Sequence, residues 1–261
     1  PGRLVFHTTA SGSSNVTERL RIDSSGTSTF TSAASTSPFI AKVSTSEVAR
    51  ITGTGQLLLG TSSTRAVGTD RGLQIESTGA YGSASIVRND STSASTAPVI
   101  ALGRSRGAAV GSSTIVQAED DLGYLIFAGA DGSTMNSYGA WIRCVVDGTP
   151  GVGDMPGRIV LATTADGASS PTEQFRITND GVRADNQAAP ATVNTSSTLT
   201  ISNLKTGIIS STPASGVTLT LPSGGLVEAG FSGIYTNMAF EWSVINLSGT
   251  NAITIAAGTT H

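Results

Sequence analysis

The chain has 261 residues, with 36 Ser, 36 Thr and 31 Gly, only 13% charged residues and a formal net charge of −3. A nucleic-acid partner needs a clustered basic surface, and the 15 Lys and Arg here are scattered singly. No apolar run approaches the ~20 residues that cross a bilayer, so neither nucleic-acid binding nor membrane insertion is expected. Disordered chains are usually charged and poor in β-branched residues. Low charge with recurrent Val and Ile points instead to many short strands joined by tight turns. The expected class is all-β, with short antiparallel strands in small sandwich-like domains.

In chain order, residues 1–26 (PGRLVFHTTASGSSNVTERLRIDSSG) recur at 156–181 (PGRIVLATTADGASSPTEQFRITNDG). The two align without a gap at an offset of 155, with 14 identities in 26 positions. Internal repetition of this kind marks a repeated structural unit. Residues 1–27 therefore read as the C-terminal part of a preceding β repeat domain. Pro1 is not a natural start, so the numbering is expected to begin inside a longer chain. A shorter pattern, E-x-x-R-I-x-x-x-G, occurs at Glu18, Glu47 and Glu173. In a regular strand, residues three apart point to opposite faces. Glu and Arg of this pattern are thus expected to pair with neighbouring strands or subunits rather than with each other. The closing Gly suits a turn with positive φ.

Residues 28–67 read as an extended Ser/Thr-rich connector or shaft. Its ten bulky apolar residues, such as Phe30, Phe39, Ile51 and Leu58, are too few to order forty residues alone. Order there requires other chains, as when three copies share an axis. Residues 68–184 read as a complete β repeat domain. Runs at 99–102, 115–116 and 124–127 are expected strands, separated by turns such as Asp131-Gly132 and Asp147-Gly148. Alternation places Ile142, Cys144 and Val146 on one strand face. Residues 185–191 (DNQAAPA) read as a linker. Residues 192–261 read as a C-terminal β domain, truncated at His261 because its last strand would be left as an open edge. Gly and Pro punctuate too closely for helix. The longest stretch free of both, 191–206, alternates Leu199 and Ile201 with Thr and Ser, as a half-buried strand does. Val217, Leu219 and Leu221, then Phe240, Trp242 and Val244, then Ile253 and Ile255, repeat that period.

Catalytic constellations are scarce. His7 and His261 are the two histidines, and the repeat places Ala162 opposite His7. Zinc needs several close Cys or His, while Cys144 is the lone cysteine and reads as a core thiol. GVGDMPG at 151–157 lacks the strand-loop-helix setting and the Lys of a phosphate loop, and reads as a surface turn. Glu119, Asp120 and Asp121 could supply the paired carboxylates of a glycosidase, or simply a solvated turn. Phe231, Tyr235, Phe240 and Trp242 could stack on sugars, but their spacing favours core packing. Sequons at Asn15, Asn89, Asn194 and Asn246 are expected by chance in so Ser- and Thr-rich a chain. No catalytic, cofactor-binding or metal-binding residue is therefore expected, and no cofactor.

The phrases GLQIESTG (72–79), SIVRNDS (85–91), APVIALGRSRG (97–107), STIVQAEDDLGYLIFAGADG (113–132) and VDGTPGVGDMPGRIVLATTADGASSPTEQFRIT (146–178) read as successive pieces of one domain. Together they resemble the repeated domain of tail-fibre and appendage proteins of tailed bacteriophages, particularly those of marine cyanobacterial phages. LTLPSGGLVEAGFSGIYTNMAFEWSVINLSGTNAITIAAGTTH (219–261) is similar to a C-terminal domain of the same proteins. The resemblance implies a virion structural protein, a homotrimer, contact with other tail or capsid proteins and with the host surface polysaccharide, and no catalytic residue. The alternatives it leaves open are a receptor-binding adhesin tip, a polysaccharide-degrading spike and a capsid-attached fibre.

Overall fold

Three times in the first part of the chain, the E-x-x-R-I-x-x-x-G phrase lies on a strand of an antiparallel meander. The first meander is β1 (Leu4–Thr9), β2 (Val16–Ile22) and β3 (Ser28–Phe30). The second is β4 (Phe39–Val43), β5 (Ser46–Ile51) and β6 (Leu57–Leu59), with β7 (Leu73–Ile75) added parallel to β6. The third runs antiparallel in chain order through β8 (Asp121–Gly129), β9 (Ser137–Val146), β10 (Gly157–Thr163) and β11 (Thr172–Ile177). The computed structural model describes residues 2–33, 36–79, 82–89, 97–235 and 237–259. The chain divides into two units, Pro1–Val182 and Arg183–His261.

The repeated sequence follows a repeated path. Leu4 faces Ile22 and Thr8 faces Thr17, while Ile159 faces Ile177 and Thr163 faces Thr172. Each meander also carries one β-bulge at the same place. The register slips between Phe6 and His7, between Ala41 and Lys42, and between Leu161 and Ala162. The unopposed residue is Arg19, Val48 or Gln174, the first position after Glu in the pattern. An inserted residue flips the side-chain parity of everything beyond it. Glu and Arg three apart then share a face, and they pair within the chain. Glu18 meets Arg21 at 3.0 Å. Glu47 takes Arg50 through both oxygens at 2.6 and 2.7 Å. Arg176 grips Glu173 the same way, with Nη2 to Oε2 at 2.8 Å. This corrects the expectation that these residues pair with neighbouring strands or subunits rather than with each other, which assumed a regular strand.

The end of the phrase is a tight turn. Gly26, Gly55 and Gly181 have φ of +85°, +85° and +82°, a region open to glycine at little cost. Their amides donate to Asp23, Thr52 and Thr178 three residues back, each at 3.0 Å. The oxygen side chains of those same residues accept the amides of Thr27, Gln56 and Val182, again each at 3.0 Å.

With parity fixed by the bulges, each sheet has an ionic face and an apolar face. In the third sheet, Arg158, Val160 and Ala162 are buried on one side, level with Arg143, Arg176 and Glu173. The other side carries Leu125 and Phe127, Ile142 and Cys144, Ile159 and Leu161, and Phe175 and Ile177 in cross-strand register. The second sheet repeats this with Phe39, Ala49, Ile51, Leu57, Leu73 and Ile75 on one face. The first does so with Leu4, Phe6, Leu20, Ile22 and Phe30. These apolar faces are open: Phe127 is 59% exposed, Leu73 55% and Phe6 51%. Of the expected strands between 97 and 127, 124–127 lies in β8, but 99–102 and 115–116 form no strand. A strand exists by pairing, and among the described residues no strand pairs with either run.

The second unit is built differently. After β12 (Arg183–Asp185) come β13 (Ala191–Thr192), β14 (Ser197–Thr198), α1 (Ile201–Lys205), β15 (Ile208–Ser211), β16 (Val217–Thr220), α2 (Gly224–Gly230), β17 (Ser243–Asn246) and β18 (Ile253–Ala256). Two parallel sheets result, β13-β15-β17 and β14-β16-β18. The chain is all-β in class, but its strands here are parallel, where antiparallel pairing was expected. Parallel neighbours need crossovers, and α1 and α2 lie on them. Three successive coils each give one strand to both sheets, around Leu199, Leu204, Ile209 and Leu219. The expected strand at 198–202 is interrupted by a capping box. Thr200 Oγ1 accepts the Asn203 amide at 3.1 Å and Asn203 Oδ1 accepts the Thr200 amide at 2.9 Å, which starts a helix at Ile201. At Gly230 an added Cβ would lie 2.6 Å from the Ile201 side chain, so the close approach of α1 and α2 at this point requires glycine.

Gly181→Ala should destabilise the protein by roughly 1 kcal/mol, because a Cβ is strained at positive φ. Gly225→Ala, in α2 with open space around it, should be neutral or stabilising. Calorimetry of the two variants checks the difference in sign.

Candidate functional site

The acidic run Glu119, Asp120 and Asp121 lies at the start of β8, and three separate arginine groups draw it apart. Glu119 has φ +69°, and its amide donates to Val146 O at 2.9 Å. That conformation turns its carboxylate to Arg158, whose Nη1 donates to Oε1 at 2.8 Å. The Arg158 side chain is only 7% exposed, whereas the Glu119 side chain is 71% exposed. The same Nη1 also donates to Asp147 Oδ1 at 2.8 Å, and Asp147 Oδ2 accepts the Asn179 amide at 3.0 Å. Asp120 is gripped bidentately by Arg106 at 2.6 and 2.7 Å, joined by Arg104 at 3.1 Å and by the Gln117 amide at 2.9 Å. Asp121 accepts from Tyr124 Oη at 2.6 Å and from Arg143 at 3.3 Å. Tyr124 and Arg143 both contact Trp141, at 6.0 Å ring-to-ring and 6.0 Å guanidinium-to-ring.

These partners decide what the carboxylates can do. The Arg106 hydrogen bonds, then the Gln117 amide, hold Asp120 well below the usual carboxylate range. Arg158 lowers Glu119 and Asp147, and Arg176 lowers Glu173, in each case against some burial. Glycoside hydrolysis needs one carboxyl kept protonated by a raised pKa beside an ionised one. All four of these acids are shifted the other way. The arrangement acts as a set of charge-assisted clamps that ties the 104–121 segment, β9, β10 and β11 together on the covered face of the sheet.

The other sequence candidates scatter. His7 faces Glu18 in the β1–β2 hairpin, and His261 lies outside the described residues. Cys144 is half-buried on the apolar face, opposite Ile159 and Gly123. Residues 151–154 form a turn, in which the Gly151 and Asp154 backbones bond reciprocally at 2.9 and 3.1 Å, and Gly157 already belongs to β10. Phe231 and Phe240 stack at 4.4 Å, and Phe231 and Trp242 pack on the core of the second unit, while Tyr235 stands out to solvent. Phe240 and Trp242 precede β17 rather than lying in it. Among the described residues, no group of three His, Cys, Asp or Glu is placed to hold a metal ion, and no helix is long and apolar enough to cross a membrane. Sequence reasoning missed the three open apolar faces. Their signal was present in the i, i+2 apolar pairs Leu4/Phe6, Leu125/Phe127 and Ile159/Leu161.

No family model matches the chain, and no curated protein matches it. Among solved structures, it is similar to the carboxy-terminal domain of the bacteriophage T5 L-shaped tail fibre, at 15% identity and a TM-score of 0.43. That match covers 73% of this chain and 81% of the other. The same domain with its intramolecular chaperone domain matches at the same identity and TM-score, with 56% of that chain covered.

The lowered carboxylates make a pH prediction. A group whose pKa is depressed on folding contributes stability above its unfolded pKa and loses it as pH falls through the folded value. The first unit should hold its stability from neutral pH to about pH 5 and lose it progressively below about pH 4. Arg158→Met should destabilise more than Glu119→Gln, because it strands two carboxylates beside a buried site. Acid titration followed by circular dichroism checks both.

Proposed function

We propose that the chain is a structural segment of a tailed-phage fibre or similar virion appendage, in which three copies associate through the apolar faces of their sheets. One observation carries the reading: all three meanders leave an apolar face open, and in the second and third it is the opposite face, bearing the Glu–Arg pair, that is covered. A soluble monomer does the reverse. A face repeated in the same register along the chain suits association around a long axis better than a single ligand site. The exposed area supports this. The chain exposes 17774 Å², whereas two separate compact units of its mass would expose about 12,600 Å². The phage assignment rests on the family phrases at 72–178 and 219–261. A structural rather than hydrolytic role is supported by the arginine pairs that hold Glu119 and Asp120 in the ionised form. The exposed Tyr235, near the Phe231–Phe240 stack, favours host-glycan contact by the second unit as the alternative.

Light scattering of the purified protein should give three times 26.3 kDa. Leu161→Asp, in the middle of an apolar face, should shift it to monomer. A well-folded monomer in the unmutated protein would contradict the reading. Glycan-array binding by the whole chain that is lost in Tyr235→Ala would support the adhesin alternative.

A further inference from the structure

Residues 97–103 of the first unit point to a more specific contact, one that rests on the assembly reading proposed for the apolar faces. The stretch carries no secondary structure, and no backbone hydrogen bond to another described residue starts or ends in it. Val99 and Ile100 are each 72% exposed. Yet its far end is firmly rooted. Arg104 Nη1 donates to Asp121 O at 3.1 Å, and Arg104 and Arg106 both hold Asp120. Leu102 lies against Gly123 of β8 so closely that a Cβ there would sit 2.7 Å from Leu102 Cβ. Gly123 shares its sheet face with Cys144, so the stretch leaves the sheet from the border of the open apolar face. A β-branched, apolar run with unpaired amides and a fixed root is an unpaired strand rather than a loop.

A receiving site lies on the same unit. β7 and β8 are edge strands of their sheets, and a groove of about 1000 Å³ runs beside them. All three residues of β7 line it, as do five consecutive residues of β8 from Leu122 to Ile126, and so do Ala101, Leu102 and Gly103 of the stretch itself, which places donor and acceptor side by side, as an exchange of strands between copies requires. Residues on one face of a strand alternate, so consecutive lining residues mean that the strand edges face the groove. Open edges of this kind demand a strand. The groove's Leu73, Ile75 and Leu125 belong to the apolar faces that join one copy to another.

We infer that residues 99–102 of each copy add as a strand to the open β8 edge of a neighbouring copy, within this groove. Every copy then gives one strand and receives one, so a closed ring leaves neither arm nor edge unpaired. The occupant is a second copy of this chain because donor and acceptor adjoin one apolar surface that needs covering by that same partner.

Hydrogen exchange read by mass spectrometry on the intact, size-checked protein tests it. In the assembled protein, the amides of 99–102 should exchange at least about a hundredfold more slowly than in a free peptide. Ile100→Asp should abolish that protection, while Val110→Asp, at a fully exposed turn, should not. An assembled protein whose 99–102 amides exchange at free-peptide rates would overturn strand addition and leave the apolar-face reading standing. A monomer would overturn both.

Discussion

One extra residue on the strand that carries the Glu–Arg phrase, Arg19, Val48 or Gln174, determines how that strand faces its surroundings in each meander. Beyond the bulge, side-chain parity is reversed. Glu and Arg come onto one face, and the Ile that follows Arg comes onto the other. Without the bulge, one charge of each pair would project into an apolar face, at the desolvation cost of an unpaired ion. The bulge therefore sorts each sheet into one charged side and one apolar side. In the third sheet the charged side is the covered one. Arg158, deeply buried, is compensated by Glu119 and Asp147, and the segment bearing Arg104 and Arg106 closes over it through Asp120.

The two units solve the burial problem in different ways. The second closes a small core within one chain, because three coils stack Ala191, Ile209 and Val244 in register on one sheet, and Val217 with Ile253 on the other. Parallel coils bury their inner face against their own neighbours. The first unit has meanders of few strands, and a single layer of sheet cannot cover its own apolar side. Phe30 and Phe39 meet edge-to-face at 6.4 Å, linking the first two apolar faces, but Leu4, Phe6, Leu125 and Phe127 remain open. The same constraint that gives the second unit a core leaves the first dependent on partners.

Much of this was legible in the sequence. Alternating Val, Ile and Thr announced strands, the 155-residue offset announced two equivalent hairpins, and the recurring Gly announced the positive-φ turns at Gly26, Gly55 and Gly181. Other features were hidden for identifiable reasons. A bulge has no composition of its own, so a strict period of two puts Glu and Arg on opposite faces. The helix at Ile201 depends on the reciprocal Thr200–Asn203 bonds, which outweigh the strand-like alternation of Leu199 and Ile201. Parallel pairing in the second unit depends on long crossovers, and the hydrophobic period is the same for parallel and antiparallel strands. The runs at 99–102 and 115–116 have strand composition, but pairing is a property of neighbours rather than of residues. The acidic run at 119–121 is chemically ambiguous in sequence, and only geometry assigns each of its acids a separate arginine.

Everything proposed for the first unit depends on other copies covering the apolar faces of its meanders. Hydroxyl-radical footprinting of the native protein reads side-chain cover directly. Val110 and Val152, which stand fully exposed, serve as internal references. Phe6, Leu125, Phe127 and Leu161 should be oxidised far more slowly, relative to their intrinsic reactivity, than those two valines. Oxidation of Phe6 and Phe127 at the rate their single-chain exposure allows would show the faces open to water and contradict assembly through them.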